Sequence, residues 1–460
     1  MASIKEYLDT LQNKKIAVIG MGVSNTPLIH MLLRANLNVT VRDKATRDRV
    51  EDLAEELESL GARLKLGEDY LEDLKEDIIF RTPGLSPNTP QQRQAAERGS
   101  EVTSEMELFF STCPCRMIGV TGSDGKTTTT TIIAEFLKAA GYNVYVGGNI
   151  GRPLLTDVAG MEPEDFAVLE LSSFQLMSME QSPHIAVFTN LSPNHLDYHG
   201  SMGEYIAAKE NIFLHQNEGE RVVFNFDNQT TRDLAQGAKG QVTWFSRQQS
   251  IEQGVYLRDG AIWMTNDECT REVLPLKDIL LPGVHNIENY MAAIAAVDGL
   301  VSDQVIRQVA RQFNGVEHRI ELVRELDGVK YYNDSIGTSP TRTVACLNSF
   351  EQKVILVAGG YDKGVPFTAL GMEIVDHVKG LVLTGATAKA IREAVDTAPG
   401  YKQGSPDILE LEDFADAVKA ARAIAQPGDV VVLSPACAAF DKFKNFMERG
   451  KYFKQLVREF

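Results

Sequence analysis

Short apolar runs leading into glycine-bearing turns recur along the chain, separated by stretches with apolar residues at helical spacing. The first is Lys15-Ile-Ala-Val-Ile-Gly20, and strands over residues 38–43 and 77–80 follow it at βαβ spacing. A second block opens at Arg116-Met-Ile-Gly-Val-Thr121 and continues with strands over 166–171, 185–190 and 222–225. A third has strands over 329–332, 354–358, 380–383 and 430–433, with a helix over 413–425 among them. The pattern predicts an α/β chain of three domains with mostly parallel sheets, at 1–104, 105–314 and 315–460. Ligands in such sheets gather at the carboxyl ends of the strands.

The most specific chemical signal lies at one of those strand ends, Thr121-Gly-Ser-Asp-Gly-Lys-Thr-Thr128. Ile132, Ile133, Phe136, Leu137 and Ala140 mark one face of the helix that follows, and Gly141 stops it. A glycine loop entering a helix N-terminus presents amides and a positive dipole end to phosphates. Lys126 adds a point charge at the β/γ-phosphates and the Thr127 hydroxyl suits Mg²⁺. Val120 stands where the strict phosphate-loop pattern has its first glycine. Glu170 ends the buried run Phe166-Ala-Val-Leu-Glu-Leu171, where a carboxylate is costly unless paired or on a metal. Thr189-Asn-Leu-Ser-Pro-Asn-His-Leu-Asp-Tyr-His199 then enters a polar loop, and Lys209 follows a helix-like segment over 201–208. Taken singly, His195, Asp197 and Lys209 read as loop hydrogen-bonders and a solvated lysine.

Composition narrows the partners. A net charge of −17 argues against a nucleic-acid surface, so a phosphorylated ligand must be held by loop amides, single cations or metal ions. Hydrophobic residues at 43% and charged residues at 24% describe a soluble chain. No apolar run approaches the roughly 18–20 residues of a membrane span, and the N-terminal segment is polar, so a cytoplasmic protein without a membrane partner is expected. The five cysteines lack metal-finger spacing and are expected to be buried, reduced thiols.

Taken as an ordered set, these motifs resemble the Mur ligase family, together with Gly148-Asn-Ile-Gly151, Glu170-Leu-Ser-Ser-Phe-Gln175, Gly283-Val-His-Asn286 with Asn289, and His318-Arg319. Gly20-Met-Gly22-Val-Ser24, Asp43, Thr82-Pro-Gly84, Glu105-Met-Glu-Leu-Phe109, Asn333-Asp-Ser335, Gly359-Gly-Tyr-Asp-Lys363 and the segment 433–443 are similar to its D-glutamate-adding members. The resemblance covers essentially the whole chain. It implies a Rossmann-like N-terminal domain, a central P-loop ATPase-like parallel sheet and a Rossmann-like C-terminal domain. It also implies ATP-dependent ligation of D-glutamate to UDP-N-acetylmuramoyl-L-alanine through an acyl phosphate, in peptidoglycan precursor synthesis, by a monomer.

On that resemblance, Gly122, Ser123, Asp124, Gly125, Lys126, Thr127 and Thr128 would hold the ATP phosphates. Asn286 and Asn289 would meet adenine, Asp334 the ribose and Arg319 the γ-phosphate. Two Mg²⁺ ions are implied, one on Thr127 and Glu170, the other served by His195 and a carbamylated Lys209. Lys126, Lys209, His195 and Arg319 would be the catalytic set. Gly22, Val23, Ser24, Asp43, Gly84, Asn149 and His195 would bind the UDP substrate, and Thr338, Lys363 and Phe446 the amino acid. Contacts to ATP from two domains imply closure on binding.

The departures fall in the amino-acid pocket, where Ile336 and Ala439 replace a commonly found lysine and serine. Three alternatives compete: a Mur ligase for another amino acid, a nicotinamide-dependent oxidoreductase, and a nucleotide-sugar binding protein without catalysis. The oxidoreductase gives no role to the phosphate loop or Glu170, and Asn25 stands where a dinucleotide fingerprint needs its third glycine. Binding alone would not require Lys126, Glu170, His195 and Lys209 together.

Overall fold

The structure is a computed structural model that describes residues 3–192, 199–267 and 269–460. The candidate residues His195 and Asp197 lie outside that description.

The first sheet contains β1 (Lys15–Ile19), β2 (Asn38–Asp43), β3 (Arg63–Leu66), β4 (Ile78–Arg81) and β5 (Glu101–Ser104). All pairings are parallel, in the order β3-β2-β1-β4-β5. The order of strand addition reverses between β1 and β4, and the crevice at such a switch point receives ligands.

The second sheet contains β6 (Arg116–Thr121), β7 (Val144–Gly148), β8 (Phe166–Glu170), β9 (Ile185–Phe188), β10 (Arg221–Asn225), β11 (Gln241–Ser246), β12 (Gly254–Arg258), β13 (Ala261–Thr265) and β14 (Thr270–Pro275). Its order is β14-β13-β12-β11-β10-β9-β6-β8-β7. From β7 to β12 the strands run parallel, and β8 and β9 are buried along their whole length, as strands covered on both faces must be. The central sheet is parallel as expected apart from its edge, where β12, β13 and β14 pair antiparallel. Asp259 and Gly260 join β12 to β13 with φ of +49° and +73°, a two-residue turn that suits the twist of a hairpin.

The third sheet contains β15 (Glu321–Leu326), β16 (Val329–Asn333), β17 (Val354–Ala358), β18 (Val378–Leu383), β19 (Asp407–Glu410) and β20 (Val430–Leu433), in the order β15-β16-β20-β17-β18-β19. It is parallel except for the edge strand β15.

The chain forms two compact units. Met1–Asp278 and Glu288–Val309 make the first, carrying the first two sheets; Ile279–Ile287 and Ala310–Phe460 make the second, carrying the third. Within the first unit one core runs through both sheets, from Leu28 and Phe80 to Phe188 and Phe224. The helix Glu105–Thr112 stitches it together by burying Phe109 and Phe110, each contributing about 1.5–3 kcal/mol. No described helix is long and apolar enough to cross a membrane. The cysteines are unbridged; four are buried, but Cys269 is exposed, against expectation, because it sits beside the β13–β14 turn at the sheet edge.

Candidate active site

Strand β6 ends in the loop that the helix Lys126–Ala139 leaves. Gly122 takes φ +146°, and a Cβ there would fall 2.0 Å from Thr189 Oγ1. Gly125, at φ +78°, is the helix N-cap, and its Cβ would fall 2.3 Å from Asn289 Oδ1. Glycine is required at both positions by space as well as by conformation. No side chain caps the helix, so its first amides are directed at whatever occupies the loop. The loop is held from outside: Asn190 accepts from the amides of Ser123 and Asp124 through its carbonyl and Oδ1, and Thr189 Oγ1 donates to Asp124 O at 2.6 Å.

Two lysines converge on this loop. Lys126 Nζ donates to Gly122 O at 3.0 Å and Ser123 O at 2.8 Å, arched over the backbone that would receive phosphates. Lys209 comes from the helix Met202–Glu210, in its last turn rather than beyond it. Only 1% exposed, its Nζ donates to Thr121 Oγ1 and Gly122 O, both at 3.0 Å, and stands 5.0 Å over the Tyr205 ring. Burial, and then the charge of Lys126, push its amine well below the ordinary lysine value, while Glu170 opposes them. The Tyr205 hydroxyl shares a 3.1 Å hydrogen bond with Ser123 Oγ, so the helix that brings Lys209 also braces the loop.

Glu170, at the end of β8, is 2% exposed and accepts at both oxygens. Thr127 Oγ1 donates to Oε2 at 2.6 Å, and Asn149 Nδ2 donates to Oε1 at 2.8 Å. Gly148 lets the backbone pass close enough to place Asn149, since a Cβ there would fall 2.2 Å from Glu170 O. Asn149 also lines a cleft of about 310 Å³ with Val23, Ser24, Thr82, Gly84 and Gln175. Asp43, at the end of β2, accepts from the amides of Met21 and Ala45, both at 2.7 Å, and so fixes the β1 turn beside that cleft. Asn25 is buried and donates to Ile19 O, filling the position where a dinucleotide fold keeps glycine.

In the second unit, Arg319 sits between His318 and Ile320, both left-handed at φ +65° and +44°. A branched residue there is strained, and such strain gathers at functional segments. Asp334 pins the segment, accepting from Ile320 N at 3.3 Å and from Ser434 Oγ at 2.7 Å; burial pushes it up to about 6 against the Ser434 hydroxyl and the Arg319 charge. Lys363 is exposed and donates to Thr338 O at 3.3 Å; the Phe446 ring meets His318 edge-on at 6.0 Å. Ala439 is buried and Ile336 half-buried. Asn286 donates to Pro282 O, whereas Asn289, in the first unit, accepts from Thr129 Oγ1.

Three family models cover most of the chain: the Mur ligase MurD-like N-terminal domain over 14–104, the Mur ligase middle domain over 120–297, and the Mur ligase glutamate ligase domain over 318–437. The chain belongs to the Mur ligase family. The UDP-N-acetylmuramoylalanine--D-glutamate ligase of Acetivibrio thermocellus is 51% identical over 457 residues, 99% of this chain and 98% of that one. The protein of the same name from Clostridium novyi is 47% identical over 99% of both. A solved UDP-N-acetylmuramate-alanine ligase from Thermotoga maritima shares the fold with a TM-score of 0.58 at 18% identity, covering 97% of this chain and all of that one.

Among the candidate residues of this Mur ligase, the fold brings Lys126, Thr127, Asn149, Glu170 and Lys209 to one place on the first unit. Arg319, Asp334, Thr338, Lys363 and Phe446 belong to the second. Sequence reasoning missed Tyr205 and Arg449. The Arg449 guanidinium is 2% exposed and donates to Ser335 Oγ, Ser335 O, Cys437 O and Ala438 O, tying the loop after β16 to the loop after β20. Burial lowers it to about 10. Nothing in its sequence surroundings signals that role.

Proposed function

We propose that this Mur ligase joins D-glutamate to UDP-N-acetylmuramoyl-L-alanine with ATP, in peptidoglycan precursor synthesis, as a cytoplasmic monomer. The observation that carries the reading is the double position of Asn149. It lines the open cleft and holds Glu170 at the phosphate loop, so a carboxylate reaching inward along the cleft arrives beside the terminal phosphate. The names of the full-length relatives supply the identity of the nucleotide sugar and of the amino acid.

The reaction is one of positioning and charge neutralisation. The alanyl carboxylate oxygen attacks the γ-phosphorus, the bridge to ADP breaks, and an acyl phosphate forms. The amine of D-glutamate then attacks the carbonyl carbon. The tetrahedral species collapses, phosphate leaves with the bonding electrons, and the surplus amine proton passes to solvent. The helix amides, with Gly122, Ser123, Asp124, Gly125 and Thr128 around them, cradle the phosphates, and Lys126 exchanges its loop carbonyls for them.

Thr127 and Glu170 fit Mg²⁺, because hydroxyl and carboxylate oxygens 2.6 Å apart are the hard donors it takes. The ion would neutralise phosphate oxygens as charge shifts toward the leaving group. Lys209 is suited to carbamylation: burial shifts its amine toward the neutral form that CO₂ requires, and forming the N–C bond releases one proton. The carbamate, with His195, would serve a second Mg²⁺. Asn286, Asn289, Asp334 and Arg319 are assigned to the nucleotide. Gly22, Val23, Ser24, Asp43, Gly84, Asn149 and His195 take the UDP substrate, and Thr338, Lys363 and Phe446 the amino acid. Domains at 1–104, 105–314 and 315–460 correspond to these three tasks.

ATP-dependent phosphate release, measured with UDP-N-acetylmuramoyl-L-alanine, a panel of amino acids and product mass, tests the reading. Turnover with D-glutamate alone is expected. Turnover with another amino acid moves the acceptor to one that suits Ile336 and Ala439, and no turnover with any acceptor removes the ligase.

A further inference from the structure

At the opposite end of β6 from the phosphate loop, three sulfurs meet in the core. Cys113 follows the helix Glu105–Thr112, Cys115 precedes β6, and Met161 caps the short 3-10 helix Leu155–Gly160. The two Sγ atoms are 3.3 Å apart, and each lies 3.9 Å from Met161 Sδ. Their exposures are 0%, 1% and 5%. A triangle with those edges has a centre about 2.2 Å from every sulfur, close to the roughly 2.3 Å of a metal–thiolate bond.

We propose that Cys113, Cys115 and Met161 form a trigonal site for copper(I). Thiolate and thioether donors are soft and select soft ions, which excludes the hard Mg²⁺ of the catalytic loop. Zinc almost always takes four ligands in structural sites, and among the described residues no group of three or more His, Cys, Asp or Glu side chains is placed to hold a metal.

Binding breaks the Cys113 and Cys115 S–H bonds, forms two copper–thiolate bonds and releases two protons to solvent. Met161 donates a lone pair without change of charge, and copper stays monovalent. Met161 supplies what a thiol pair alone lacks, a third soft donor that closes the triangle.

The test is an anaerobic titration of the reduced, full-length protein with copper(I) against bathocuproine disulfonate. A Cys269→Ser background removes the exposed thiol. One ion per chain is expected. Cys113→Ser and Cys115→Ser should each weaken binding at least about 100-fold and Met161→Leu about 10-fold, while Cys346→Ser and Cys437→Ser leave it unchanged. X-ray absorption at the copper edge needs no core substitution and should show three sulfurs at about 2.3 Å. No uptake by the unsubstituted site, undiminished binding in the Cys113→Ser/Cys115→Ser double variant, or a shell of nitrogen and oxygen overturns the proposal.

Discussion

The turns that close β1 and β6 share one plan: a parallel strand, a glycine at positive φ, then a helix. What surrounds them differs. At the β1 turn a Cβ on Gly20 would fall 3.1 Å from Thr82 Cβ, one on Gly22 would meet no heavy atom within 4 Å, Val23 is 77% exposed, and the Met21 amide is held by the carboxylate of Asp43. At the β6 turn Cβ atoms on Gly122 and Gly125 would strike side chains, one lysine arches over the loop and another is buried beneath it. An open turn braced by an anion suits recognition, where a ligand settles into available space. A packed turn braced by lysines suits chemistry, because reacting atoms gain rate only from positions fixed before they arrive. The glycines locate both ligands; the material around them assigns the tasks.

If that division holds, the largest effect belongs to Lys209. Lys209→Ala should lower turnover by at least ~10³-fold, comparable to or beyond the loss of a preorganised charge-stabilising group, and added bicarbonate should not restore it. Wild-type rates in steady-state assays of that variant would remove Lys209 from the argument. Gly122→Ala comes next, with an expected loss of ~10²–10³-fold, because the methyl must displace Thr189 and with it the support of Asp124. A change at the open glycine of the other turn, Gly22→Ala, should leave the melting temperature unchanged and alter kcat/KM less than about tenfold. Equal losses at the two glycines would erase the contrast. Thr127→Ala should raise the Mg²⁺ requirement by about 10–100-fold at unchanged folding, which a metal titration of activity reads directly. Removing Mg²⁺ with EDTA should stop both variant and parent.

The contrast was half visible in the sequence. Apolar strands entering glycine turns located both sites, and Glu170 was legible because a carboxylate closing an apolar run is costly without a cation or hydrogen-bond donors beside it. Lys209 drew attention only through its place in a family pattern; a lysine closing a helix looks the same whether solvent or a buried loop lies beyond it. Edge strands escaped for a related reason: β3 reads Arg-Leu-Lys-Leu and is half exposed, so its apolar content is thin. The hairpin at Asp259-Gly260 had a recognisable turn that went unread. Asn149 was named, but its second partner was not, because the hydrogen bond to Glu170 depends on the pairing of β7 with β8. Arg449 acts across more than a hundred residues on Ser335, a closure that no local pattern encodes.

The smallest expected effect sharpens the comparison most, because it separates bracing from contact. Asp43→Asn keeps one carbonyl oxygen for the Met21 or Ala45 amide and loses the charge and the second acceptor. Each hydrogen bond to a charged group is worth about 1.5–3 kcal/mol, but the turn is open and the freed amide can turn to water. The loss should therefore appear as a KM for the UDP substrate raised by roughly 3–10-fold at nearly constant kcat, since a binding turn acts equally on ground and transition states. A fall in kcat at constant KM would mean that the β1 turn also positions the reacting carboxylate, through the shared cleft and Asn149. Recognition and chemistry would then be one rigid device rather than two.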